Sequence, residues 1–121
     1  MVDKININRF DIVLVRLNPT IGSEIQKTRP CIIISPDEMN VLKTLIVAPM
    51  TSKGFNFVFR PEIKFKGKKG LVLLDQIRAI DKSRIVKVIG KVDKNKAIEI
   101  SKMLNEMFEY WITIIDQKTP Y

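Results

Sequence analysis

The sequence predicts a mainly β chain of the α+β class: a small barrel or sandwich of about seven short strands, followed by one long amphipathic helix. Three observations carry this. Between residues 11 and 92, β-branched and alternating runs recur at regular spacing, punctuated by Gly, Pro, Asn and Asp. From Asp93 the apolar residues fall instead at steps of three and four. With 121 residues there is room for one core and one domain.

The elements follow in order. Asp11 to Leu17 (DIVLVRL) alternates as a strand does, Ile12, Leu14 and Arg16 on one face and Val13, Val15 and Leu17 on the other. The stretch after it, NPTIGSEIQKTRP, holds Pro19, Gly22 and Pro30 and reads as a long loop of the kind that usually carries function. Cys31 to Ser35 and Thr44 to Met50 are β-branched inner strands. Phe55 to Phe59 and Glu62 to Lys66 alternate as half-exposed strands. The tight segment Gly67 to Gly70 leads into LVLLDQIRAI, a buried strand ending in polar residues. Asp81 to Arg84 is a turn, and Ile85 to Val92 the last strand.

In the helix, Ala97, Ile100, Leu104, Met107, Phe108, Trp111 and Ile115 form one stripe that covers either the barrel or a partner. Asp93 is a good N-cap, whereas Lys94 and Lys96 oppose the helix dipole, so packing must hold the helix. The expected organisation is a single domain over 1–121, with the barrel at about 9–92 and the helix at about 93–117.

Composition narrows the chemistry. The chain has no histidine and one cysteine, which removes the commonest general base and every zinc pattern built on Cys and His. Cys31 lies inside the run CIII and is expected to be a buried thiol. The N-terminus lacks the apolar region of a secretory signal, and no run approaches a membrane span, so a cytoplasmic protein without a membrane partner is expected. The net charge of +8 is uneven: residues 1–92 hold 17 Lys/Arg against 8 Asp/Glu, and residues 93–121 hold 4 against 5. Such a field suits a polyanion, nucleic acid first, although an anionic membrane or an acidic protein satisfies it too.

The densest polar group is the loop Pro19 to Pro30, with Thr20, Glu24, Gln26, Lys27, Thr28 and Arg29. From residue types alone, Glu24 and Arg29 there read first as a surface ion pair of a solvated loop and second as a phosphate site. Arg29, restrained by Pro30 and the strand behind it, presents a fork that fits two phosphate oxygens. Thr51 and Ser52 end a buried strand ahead of Lys53, where hydroxyls serve either turn backbone groups or a ligand. Asp75 and Gln76 end another buried run and are either a structural anchor or a base-reading pair.

Taken together, DIVLVRLNPTIGSEIQKTRPCIIIS, VAPMTS and LVLLDQIRAIDKSRI, in this order, resemble the MazF/PemK family of toxin endoribonucleases over nearly the whole chain. The resemblance implies an SH3-like antiparallel β-barrel with a long C-terminal helix, a homodimer, no metal or organic cofactor, and cleavage of single-stranded RNA (mRNA) at a short motif. It also implies a cognate antitoxin, expected to be acidic and partly disordered. It assigns catalysis to Arg29, Thr51 and Glu24. RNA contacts are expected from Thr20, Gln26, Lys27, Thr28, Asn40, Ser52, Lys53, Asp75 and Gln76, with Lys64, Lys66, Lys68 and Lys69 as further phosphate contacts.

Two departures stand out. Leu73 occupies the place where one branch of the family uses an arginine, so that branch's acid/base scheme does not transfer, and the base is left between Glu24 and Asp75. Ile25 to Thr28 replaces a glycine-containing stretch, which leaves base preference open. Two other readings compete: an inert SH3-like RNA- or protein-binding module, and a gyrase poison of the CcdB type. The latter acts through a C-terminal tryptophan, whereas this chain ends Lys118-Thr119-Pro120-Tyr121 and its Trp111 falls on the helix stripe.

Overall fold

Residue alternation builds the sheet from its first strand. In the computed structural model, which describes residues 6–18, 21–24 and 27–110, β1 (Asp11–Arg16) turns Val13 and Val15 to one side and Ile12 to the other, all three buried. Next come β2 (Thr28–Ile33), β3 (Thr44–Thr51), β4 (Glu62–Phe65), β5 (Lys68–Val72), β6 (Arg78–Asp81), β7 (Ile85–Lys91) and the helix α1 (Lys94–Phe108). The strands pair antiparallel in the order β4-β5-β3-β2-β1-β7, and β6 also pairs with β3.

β3 is the hub. One edge of it follows β2, while the other is shared, β6 along Thr44 to Val47 and β5 along Met50 and Thr51. Pro49, which has no N–H to give, sits at the changeover, and its carbonyl accepts from the Leu73 N–H at 2.8 Å. The sheet curls into a half-barrel whose outer strands meet through a side chain. A Cβ on Gly90 of β7 would stand 2.8 Å from Phe65 Cε1 of β4, so glycine is what lets that ring lie on β7.

Period two makes two cores from one sheet. Val13, Val15, Cys31, Ile33, Leu45 and Val47 form the cluster on one face. Ile12, Ile32, Ala48, Met50 and Val72 form the other, and Ala97, Ile100, Met103, Leu104 and Met107 of α1 pack there. The helical stripe therefore covers the barrel. Ile100 is fully buried, and a buried side chain of this size contributes roughly 1.5–3 kcal/mol. Asp93 caps α1, its carboxylate accepting from Lys96 N at 2.8 Å.

Several expectations change. Phe55 to Phe59 is not a strand: Phe55, Phe57 and Val58 are exposed, and the segment is an irregular excursion between β3 and β4. The apolar run LVLLDQIRAI is not one strand, because a 3-10 turn at Leu74–Gln76 interrupts it where β3 exchanges partners, leaving β5 before and β6 after. One strand is thus lost and one gained, and the sheet has seven. The helix ends at Phe108, with Glu109 extended, short of the expected 117, and Phe108 itself is exposed. Trp111, Ile115 and the terminal Lys118 to Tyr121 lie outside the described residues. Among the described residues, no helix is long and apolar enough to cross a membrane.

Candidate active site

Strand register makes the site. β2 and β3 pair Cys31 with Pro49, Ile32 with Ala48 and Ile33 with Val47. Arg29 and Thr51 lie two residues beyond the Cys31–Pro49 pair on β2 and β3, so the two strands carry them to the same end of the sheet. Both side chains line two adjoining hollows, one of about 190 Å³ and one of about 720 Å³. The pair forms a ridge with a hollow on each side, the arrangement needed to hold a polymer on both sides of one bond.

Each residue of the pair is held by the fold. Arg29 is the second residue of β2, opposite Val15 of β1, with Pro30 fixing the backbone behind it. Thr51 Oγ1 accepts from Lys53 N at 3.1 Å, which orients the hydroxyl and leaves its O–H to donate. Gly70 of β5 packs so closely on Thr51 that a Cβ there would lie 2.7 Å from the Thr51 carbonyl oxygen.

Glu24 lines the larger hollow with the pair. Its Oε1 accepts from Ile21 N at 2.6 Å, closing a turn. The base of this loop is tied to the barrel: Lys27, at φ 67°, donates its N–H to Asn18 Oδ1 at 3.0 Å. Arg84 donates to the carbonyls of Arg16 and Asn18, and Arg78 to that of Leu17. Thr28 is exposed opposite Arg16. Thr20 and Gln26 lie outside the described residues.

Asp75 and Gln76 reach the larger hollow from the 3-10 turn. Asp75 is engaged by a residue that the sequence pattern does not single out. Arg60 grips it with two bonds, Nε to Oδ1 at 2.9 Å and Nη2 to Oδ2 at 2.8 Å. This pairing holds the Asp75 carboxyl below its usual range, so it is a weak proton acceptor. Both Asp75 oxygens are thus engaged by Arg60, which counts against Asp75 as the base. A signal for Arg60 does exist: it is the one cation among Phe55, Phe57, Val58 and Phe59, and is followed by proline as Arg29 is.

The lysines form the smaller hollow's rim. Lys68 and Lys69 line it beside Ser52, above an apolar floor that includes Met50 and Phe65. Lys64 and Lys69 are direct cross-strand partners, a like-charge pairing that costs stability in the absence of an anion. Lys64, Lys66, Lys68 and Lys69 are all exposed, and none forms an ion pair among the described residues. Lys53 lines the larger hollow.

Asn40 does not join the site. It lies in a 3-10 turn (Asp37–Val41) that enters β3 at Thr44, the end away from Thr51, and its Nδ2 donates to the Ile7 carbonyl at 2.8 Å. Its amide is a structural tie. Cys31 is fully buried, and burial pushes its thiol up to about 12, consistent with a packing role.

Comparison with known proteins agrees with this fold. The family described as "PemK-like, MazF-like toxin of type II toxin-antitoxin system" matches residues 8–108. An endoribonuclease MazF of Staphylococcus epidermidis is 32% identical over 106 residues, covering 82% of this chain and 88% of that protein. Among solved structures, MazF of Deinococcus radiodurans shares the fold at TM-score 0.73 and 23% identity, over 84% of this chain and 94% of that one. A mycobacterial endoribonuclease, solved in complex with its cognate antitoxin, superposes at TM-score 0.71 and 15% identity, over 87% of this chain and 99% of that one. The match across the barrel and the helix, together with the S. epidermidis relative, means that the chain belongs to the PemK-like, MazF-like family of toxins of type II toxin-antitoxin systems.

Proposed function

We propose that this protein is a toxin endoribonuclease that cleaves single-stranded RNA at the Arg29–Thr51 ridge and is neutralised by a cognate antitoxin. The carrying observation is that Arg29 of β2 and Thr51 of β3 line the same two hollows, in a chain of this family. The endoribonuclease relative in S. epidermidis and the antitoxin complex of the mycobacterial neighbour support the reading.

RNA brings its own nucleophile, so the protein has only to align the 2′-OH with the adjacent phosphorus and stabilise the charge that develops. Arg29 binds the scissile phosphate and assists departure of the 5′-oxygen, while the Thr51 O–H donates to a phosphate oxygen. Glu24 takes the 2′ proton or orients Arg29 with its second carboxylate oxygen. The products are a 2′,3′-cyclic phosphate and a 5′-OH, and the reaction needs no metal. The lysine rim holds flanking phosphates. Gln76 reads a base, and the acidic antitoxin occupies the same basic groove in a homodimer of this chain.

The test is incubation of purified protein with a long single-stranded RNA in EDTA, mapping of cut sites, and analysis of the ends. Reproducible cuts bearing cyclic phosphates are expected, and both Arg29→Ala and Thr51→Ala should lose them. Wild-type cleavage by Arg29→Ala refutes the assignment. RNA binding without any product would make the protein an inert binding module instead.

A further inference from the structure

Phe55 is 69% exposed, yet it faces the larger hollow beside Thr51 and Glu24. The other aromatics of its segment are anchored. Phe59 packs on the second core, Phe57 meets it edge to face at 6.2 Å, and the Arg60 N–H donates to the Phe57 carbonyl at 2.9 Å. The Phe55 ring is braced on one face: the Arg60 guanidinium lies 4.8 Å from its centroid, and Asp75 clamps that guanidinium with two hydrogen bonds. Gly54, at φ 119°, supplies the turn that brings the ring there, and a Cβ on it would meet Arg60, Thr51 and Leu71 at 3.6–3.9 Å.

We infer that Phe55 is a stacking platform for the RNA base held in the larger hollow, on one side of the scissile phosphate, with Arg60 and Asp75 as its positioning residues. Several features favour a nucleobase. A fold gains nothing from leaving a ring exposed, a braced ring loses little freedom on binding, and every base presents a π-face that stacks on an aromatic side chain. The neighbouring Lys53 and Arg29 supply the cations that a strand's phosphates need. The two hollows then differ in kind: the one with Phe55 stacks a base, and the other offers an apolar floor under a lysine rim.

This inference rests on the ribonuclease reading, and the test separates the two. Binding of a 30-nucleotide single-stranded RNA to the Arg29→Ala protein is measured with Phe55 intact and with Phe55→Ala, Phe55→Leu and Phe55→Trp, across a salt series. Stacking predicts Kd raised on the order of 5- to 100-fold by Phe55→Ala, from the usual loss of a base–aromatic stack. Phe55→Leu should recover little of it, and Phe55→Trp should bind like the parent. The slope of log Kd against log salt should stay unchanged, because the ring neutralises no phosphate. Added RNA should quench the new indole of Phe55→Trp. Equal affinities for Phe55→Ala and the parent overturn the platform while leaving the ribonuclease reading intact, and so does full recovery by leucine. Absence of RNA binding and cleavage in the wild-type protein overturns both.

Discussion

Replacing Gly70 by alanine tests how the sheet positions Thr51. The new methyl carbon would start 2.7 Å from the Thr51 carbonyl oxygen, and reaching an ordinary 3.4 Å separation requires a shift of about 0.7 Å. The obstacle is backbone in a strand paired on both sides, so the shift cannot be absorbed by rotating a side chain. It must separate β5 from β3 or carry Thr51 with it. Overpacking of this kind costs about 1–3 kcal/mol, and displacement of a positioning group by most of an ångström lowers kcat by roughly 10- to 100-fold. Two measurements decide it: urea unfolding, and kcat with KM on one RNA substrate. Gly67→Ala is the control. It has nothing within 4 Å but a φ of 78°, so it should lose about 1–2 kcal/mol of stability and keep its kcat. Wild-type stability and kcat in Gly70→Ala would refute the claim that this close approach sets the Thr51 position.

Three further outcomes are expected. Asp75 is held below its usual value of 3.8 by Arg60, so its contribution is fully present above about pH 4 and is lost as pH falls through the depressed folded-state value. Asp75→Asn should therefore cost up to about 1 kcal/mol at pH 7, a gap that closes in strong acid, as read by urea unfolding across a pH series. Cys31, at about 12, should resist alkylation in the folded protein at pH 8 and react quickly in urea, read by mass spectrometry. Replacing Lys68 and Lys69 together by glutamine should weaken RNA binding and reduce the slope of log Kd against log salt by about 0.7 for each phosphate no longer neutralised. An unchanged slope would show that neither lysine neutralises a phosphate.

The sequence is most informative where local pattern and tertiary demand coincide. DIVLVR alternates because both faces of β1 are buried against different cores, and Asp93 caps the helix by a bond only three residues long. It misleads where a distant partner decides. Phe55 to Phe59 has the alternation of a strand but no strand to pair with, and what fills its place beside β3 is the later Lys68–Val72. In the run LVLLDQIRAI burial stops at Leu74, and the polar Asp75 and Gln76 mark the 3-10 turn; read as the polar end of one strand, they conceal that a second strand follows, because the break falls where β3 exchanges partners. Arg29 and Thr51 are both legible as candidates. Their juxtaposition is not, since it follows from how β2 and β3 pair and shows in the hollows that both residues line. Asn40 reads as one of the group because the sequence hides which end of a strand a residue approaches, and Arg60 is hidden among phenylalanines.

The way β3 is shared separates two mechanical layers of the molecule. Thr51 pairs with Leu71 of β5 at the end of a strand that β2 holds along Val47 to Pro49, so hydrogen exchange at the centre of β3 should report global unfolding. The loop that carries Glu24 is tied at its base by Arg84, which donates to the carbonyls of Arg16 and Asn18, and by Arg78, which donates to that of Leu17. Glu24 thus reaches the Arg29–Thr51 pair from an element outside the β3 ladders, so substitutions in the loop that spare Glu24 should alter which RNA is chosen while β3 keeps its place.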